Sequence, residues 1–160
     1  MSGEVERDDA RAVDPDWVQL PVLLCALDGE DLRVIALNEV ADDLVGGFWP
    51  VGSTIDELEA VLAGSRLTER LTEVYRTGEP YSARQWRIPM PDASGEMRDH
   101  YFDLLYARWR RRDGTIRGVL GLGIEVTESV LARQRAEAQS AEWEQRFASS
   151  QAAMSKSESR

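Results

Sequence analysis

The sequence predicts an α+β domain: one antiparallel five-stranded sheet, short helices gathered on one face, and a long helix at the C-terminal end. Three observations predict it. Strand-like apolar runs lie on both sides of a stretch whose apolar residues recur at helical spacing. Turn signals such as Asp28-Gly29 and Asp113-Gly114 separate the strand-like runs. From Thr127 to about Met154 the chain is polar, alanine-rich and free of glycine and proline.

Taken in order, residues 1–16 are charged and acidic without a usable hydrophobic period, and are expected to form a disordered arm. Asp14-Pro15-Asp16 can cap a short turn carrying Trp17, Val18 and Leu20. Pro21–Leu27 reads as a buried strand, with Asp31–Asn38 as its hairpin partner. Val40, Ala41, Leu44 and Val45 then take helical spacing, which Gly46-Gly47 stops. Ser53 or Thr54 can cap a second helix carrying Ile55, Leu58, Val61 and Leu62 on one face. A third starts near Ser65, carries Leu67, Leu71, Val74 and Tyr75, and ends at Gly78 with Pro80 beyond. Tyr81–Met90, Arg98–Arg110 and Thr115–Val126 follow as three strands joined by turns. The closing helix has a weak heptad seam of Leu131, Gln134, Ala138, Ala141, Gln145 and Ala148. Such small and polar knobs bury little. Trp143 and Phe147 form its one large apolar patch, and the terminal SKSESR is expected to fray.

Composition excludes several classes. Hydrophobic residues make up 42% and charged residues 30%, as in an ordinary globular chain. The formal net charge of −10 opposes binding to nucleic acid phosphates. No apolar run approaches membrane-spanning length, and the acidic first residues do not read as a secretory signal. A single cysteine, Cys25, allows no intrachain disulfide and fits a cytoplasmic setting. Lys156 is the sole lysine, so the basic side chains are arginines suited to pairing with carboxylates.

Several strings together resemble the PAS family of sensor domains found in bacterial signalling proteins. Leu37–Gly46 (LNEVADDLVG) is similar to that family's strand-end asparagine, short helix and glycine. Tyr75–Tyr81 (YRTGEPY) resembles its helix exit into the third strand. His100–Val130 resembles its closing hairpin and the Asp-x-Thr junction to the signalling helix, here Glu125-Val126-Thr127 with glutamate for aspartate. The family's usual proline near the end of the fourth strand is replaced by Arg108-Trp109. The resemblance covers residues ~20–130 and implies a sensor domain at 17–126, with a signalling helix and frayed tail at 127–160.

The resemblance also implies a pocket between sheet and helices. In register from Glu125 it places Val119, Gly121 and Gly123 inward, joined by Leu105, Ala107, Cys25 and Leu27, with Asp103 near the rim. Two glycines on one face either leave room for a ligand or admit a large neighbour such as Trp49 or Trp86. It further implies a signal junction at Glu125 and Thr127, and a homodimer through Trp17, Val18 and Leu20.

No convergent reactive set stands out in the sequence. His100 is the only histidine, and one histidine with one cysteine cannot close a zinc site. Cys25 lies on a strand, not on the helix where the photoactive branch of the family carries its reactive cysteine. GVLGLG lies within a strand and opens no helix, so it is not a phosphate loop. The expectation is a non-catalytic module that binds a small ligand or partner and serves a kinase or phosphatase output of a two-component system. The ligand is unspecified, and haem and flavin are not expected. Two other readings stay open: a cone-shaped enzyme of the steroid-isomerase type using Asp103 as base, and a structural dimerisation module with a filled core.

Overall fold

The computed structural model describes residues 21–62 and 64–158, with the Glu158 side chain left aside. The expected dimer residues Trp17, Val18 and Leu20, and the arm before them, lie outside the described residues. In chain order the elements are β1 (Leu23–Asp28), β2 (Arg33–Leu37), α1 (Glu39–Val45), α2 (Ile55–Val61), α3 (Leu67–Thr77), β3 (Tyr81–Pro91), β4 (Met97–Arg110), β5 (Ile116–Glu125) and α4 (Thr127–Glu158). The strands form one antiparallel sheet in the order β2-β1-β5-β4-β3. Two compact units divide between Val126 and Thr127.

Local chemistry fixes each boundary. Asn38 ends β2 and caps α1, its side-chain oxygen accepting from Ala41 N at 3.1 Å and Leu24 N at 2.9 Å, while its amide donates to Val22 O at 2.8 Å. One buried side chain therefore starts a helix and clamps it to β1. At α2, the Glu57 carboxylate accepts from Thr54 N at 2.7 Å, as the preceding-threonine signal predicts. Ser65 Oγ accepts from Leu67 N at the start of α3, and Gly78, at φ 79°, closes it in the left-handed region where glycine is favoured.

The core sits between the helices and one face of the sheet. Leu27, Leu32 and Val34 of the first hairpin meet Leu58, Leu71 and Val74 of the helices there, each at most 2% exposed. The other sheet face carries Leu105, Leu120 and Ile124, each 40–44% exposed. α4 runs through Glu158, with Ser155 Oγ donating to Gln151 O. Arg146 pairs with Glu142 at 2.9 Å along the helix, and Trp143 and Phe147 are 71% and 67% exposed.

Candidate functional site

A cavity of ≈ 80 Å³ lies between the short helices and the inner sheet face. From the helical side it is walled by Ala41 and Leu44 of α1, Trp49, Leu58, Leu62 and Leu67. From the sheet it is walled by Cys25, Ile88, Met90, Phe102, Leu104 and Tyr106, with Gly121 and Gly123 between them. No aspartate, glutamate, lysine, arginine or histidine contributes to this wall. The one indole donor is engaged elsewhere, Trp49 Nε1 donating to Thr54 O at 3.1 Å.

Two titratable groups border the space, and both are held neutral. Burial pushes the Cys25 thiol up to about 12, with the Gly121 amide drawing it back part of the way. Burial, followed by the neighbouring Cys25 and Tyr81, pushes the Tyr106 phenol well above its ordinary value. Cys25 is therefore a protonated, unreactive thiol at neutral pH. Among the described residues no group of three or more His, Cys, Asp or Glu side chains is arranged to hold a metal ion.

The inner-face glycines serve close packing. A Cβ on Gly121 would stand 2.5 Å from Cys25 Sγ and 2.7 Å from Tyr106 Cε1, so the large neighbour it admits is Tyr106, and neither Trp49 nor Trp86. Gly123 is looser, its hypothetical Cβ lying 3.3 Å from the flexible ends of Leu104 and Leu23. Gly118, on the same side of β5 as the outward Leu120, is stricter than either. A Cβ there would meet Leu27 O at 1.7 Å, backbone against backbone.

The structure sorts the expected pocket residues into three groups. Cys25, Trp49, Gly121 and Gly123 border the cavity. Leu27 and Val119 face the same side but lie fully buried in the core beyond the cavity wall. Leu105 and Ala107 lie on the opposite face, where they pair with Leu122 and Leu120. The correction has a specific cause. Counting back from the Asp113-Gly114 turn, regular pairing sets Leu105 against Gly121 and Ala107 against Val119. A β-bulge between Trp109 and Arg110 inserts one residue, so Tyr106 pairs with Gly121 and Leu104 with Gly123. Asp103 moves with them to the outer face, where its carboxylate accepts from Gln85 N at 2.8 Å beside a second bulge.

At the end of the sheet, Glu125 is the last residue of β5 and Thr127 the first of α4. The Glu125 carboxylate lies 2.7 Å from His100 Nδ1, and the imidazole stacks on Phe102 at 6.3 Å between centroids. Val126 N donates to Tyr101 O at 2.8 Å, which carries the β4–β5 ladder to the last residue before the helix. Glutamate thus reaches across to the first turn of β4, and the lone histidine has a structural partner.

Two residues matter more than the sequence alone indicated. Arg108, standing where the resembling family has proline, donates from Nε to Tyr75 O at 3.1 Å and from Nη2 to Arg76 O at 2.8 Å. Its guanidinium caps the negative end of α3 and occupies the space beside Gly78. Tyr106 is the other: a buried phenol in a strand with apolar residues on both faces, it could be recognised only once the bulge set the register.

Solved structures share this arrangement at low identity. A sensory box sensor histidine kinase from Vibrio cholerae is 22% identical with a TM-score of 0.51, over 68% of this chain and 85% of that one. An RNA-binding light-oxygen-voltage receptor is 17% identical with a TM-score of 0.54, over 81% and 36%. The Vibrio cholerae VqmA dimer, in the absence of target DNA, is 19% identical with a TM-score of 0.51, over 69% and 48%. The chain thus spans about half the length of VqmA. At these identities the likeness is one of fold. A family model described as the PAS fold matches residues 17–131. The strand order, the asparagine-capped first helix and this match over most of the sequence lead to one conclusion: the chain belongs to the PAS fold family.

Proposed function

We propose that the chain is a non-catalytic sensor domain that takes a small molecule in its central cavity and passes the effect along β5 into α4. The observation that carries this reading is continuity along one strand. Gly121, Leu122 and Gly123 of β5 border the cavity, and two residues further on Glu125 closes on His100 immediately before the helix begins. An occupant that shifts the middle of β5 displaces its end, and a difference of about 1–3 kcal/mol between two states suffices for useful coupling.

The cavity's chemistry supports the non-catalytic part. Its two titratable groups are both neutral, and the carboxylate that a steroid-isomerase-like mechanism would use, Asp103, stands on the other face. At ≈ 80 Å³ the space is far below the ~300 Å³ at which pockets begin to hold drug-sized ligands, which supports an occupant smaller than haem or flavin. A module with a filled core would have no such space.

The partner is assigned as a second copy and a downstream signalling protein of the kinase or phosphatase type. The exposed Leu105, Leu120 and Ile124 on the outer face and the exposed Trp143 and Phe147 on α4 supply apolar area for association. Two of the similar proteins are named for nucleic acid, but this chain spans only 48% and 36% of them. With a net charge of −10 a protein partner is the better match. No described helix is long and apolar enough to cross a membrane.

Hydrogen–deuterium exchange tests the transmission step. Ala41→Leu adds about three carbons to the cavity wall and imitates an occupant. Exchange in the first turns of α4 is expected to change several-fold relative to the unsubstituted chain. Unchanged exchange there, with a folded domain, would remove the proposed route.

A further inference from the structure

The wall of the cavity also specifies what it takes. We infer that its ligand is a small uncharged molecule of about three or four non-hydrogen atoms, mostly apolar, and that a carboxylate of the same size is rejected. This rests on the reading of the cavity as a sensor site and adds the ligand's chemical class to it.

Size comes first. A volume of ≈ 80 Å³ equals the liquid share of only about three waters, and is roughly half of the 150 Å³ that holds benzene in an engineered apolar cavity. About three or four heavy atoms fill it. Charge comes second. An anion entering this space would lose its water and find no arginine, lysine or histidine in the wall to replace it. Trp49 Nε1 is already committed to Thr54 O, and the Gly121 amide is already against Cys25 Sγ. The wall itself keeps its thiol and phenol protonated, because the same low-polarity surroundings penalise any charge. A cation meets the same penalty, with no aspartate or glutamate in the wall to offset it. What remains favourable is the burial of apolar surface, with one thiol and one phenol as the titratable polar groups of the wall.

A third observation bears on where room lies. The space in front of Gly121 is already taken by Cys25 Sγ and the Tyr106 ring. Ala41, 2% exposed on the capped helix α1, is the smallest side chain in the wall, so room can be removed there without touching the sheet.

The experiment uses the full chain, labelled with ¹⁵N, and follows the Gly121 and Gly123 amides by NMR. Three probes are titrated: xenon, acetone and acetate, the last two having four non-hydrogen atoms each. So small a ligand binds weakly, so millimolar concentrations are used. Saturable shifts of both amides with xenon and acetone, at least tenfold weaker with acetate, are the expected result. Ala41→Leu should abolish the xenon and acetone shifts while the dispersed spectrum of a folded domain persists. Gly123→Ala, a milder filling, should weaken them. Acetate shifts as strong as those of acetone would overturn the inferred ligand class and leave the sensor reading standing. Absence of any saturable shift with xenon and acetone would overturn the inference too. The sensor reading fails on a different measurement, an α4 whose exchange does not respond to filling the cavity.

Discussion

At the scale of single residues, β5 separates glycines that must be glycine from one that need not be. Gly118→Ala forces a methyl group against Leu27 O, and only a local separation of β1 from β5 relieves it. A loss of about 3 kcal/mol or more is expected in urea unfolding, whereas Gly123→Ala, meeting only leucine methyls, should cost less than about 1 kcal/mol. Asn38 is the most heavily used polar side chain of the core. Asn38→Ala strips the N-cap of α1 and leaves Val22 O and Leu24 N without their partner, for an expected loss of about 2–4 kcal/mol in the same assay. Cys25 gives a pH prediction whose sign is fixed. Its folded-state thiol titrates at about 12, above the ~8.5 of an unfolded cysteine, so the folded protein holds the proton more tightly. Stability from this group is fully present below about pH 8.5 and is lost as the pH rises towards 12, with Tyr106 acting in the same direction. Urea midpoints measured from pH 7 to 11 should be level first and then fall. In the Cys25→Ala variant the alkaline fall should be shallower.

At the scale of elements, most of the fold was legible in the sequence because its punctuation is strong. Asp28-Gly29, Gly46-Gly47, Gly78 with Pro80, and Asp113-Gly114 bracket the elements, and the change of period between them distinguishes strand from helix. The inward face of β5 came from the family resemblance, counted in register from Glu125, and Val119 is fully buried there. The inward face of β4 was not legible. Leu104-Leu105 and Tyr106-Ala107 offer an apolar residue to each face, so the pattern carries no parity, and the bulge after Trp109 leaves no mark in composition. The pair Leu104 and Leu105 therefore makes a test. Leu104→Ala should cost about 2–4 kcal/mol in urea unfolding, whereas Leu105→Ala should cost less than about 1 kcal/mol. The reverse order would restore the uninterrupted pairing. Arg108 illustrates a second gap: a cation on a strand says nothing of the helix end it serves until the two are brought together.

At the scale of the whole molecule, the two faces of the sheet have different tasks. The inner face is apolar and covered by helices around one small cavity, and the outer face keeps large side chains in contact with solvent. Substituting Leu120 with aspartate should leave the unfolding midpoint within about 0.5 kcal/mol of the parent and weaken self-association at least tenfold by analytical ultracentrifugation. A monomeric parent, or an unshifted dimer, would remove the outer face from the interface. The site was only partly legible at this scale. A resemblance can name the strand that carries a cavity, but the volume left over depends on how far Tyr106, Trp49 and the helix side chains intrude, and that is a property of the assembled packing.

The extra residue opposite Trp109 and Arg110 is Arg117 of β5, and it has a consequence for how this chain tolerates change in length. Deleting Arg117 would let the two closing strands zip evenly from their turn while Tyr106 still met Gly121 and Leu104 still met Gly123. What such a one-codon deletion gives up is local: the pairing of Arg117 with Asp28 and its place over the Trp109 ring.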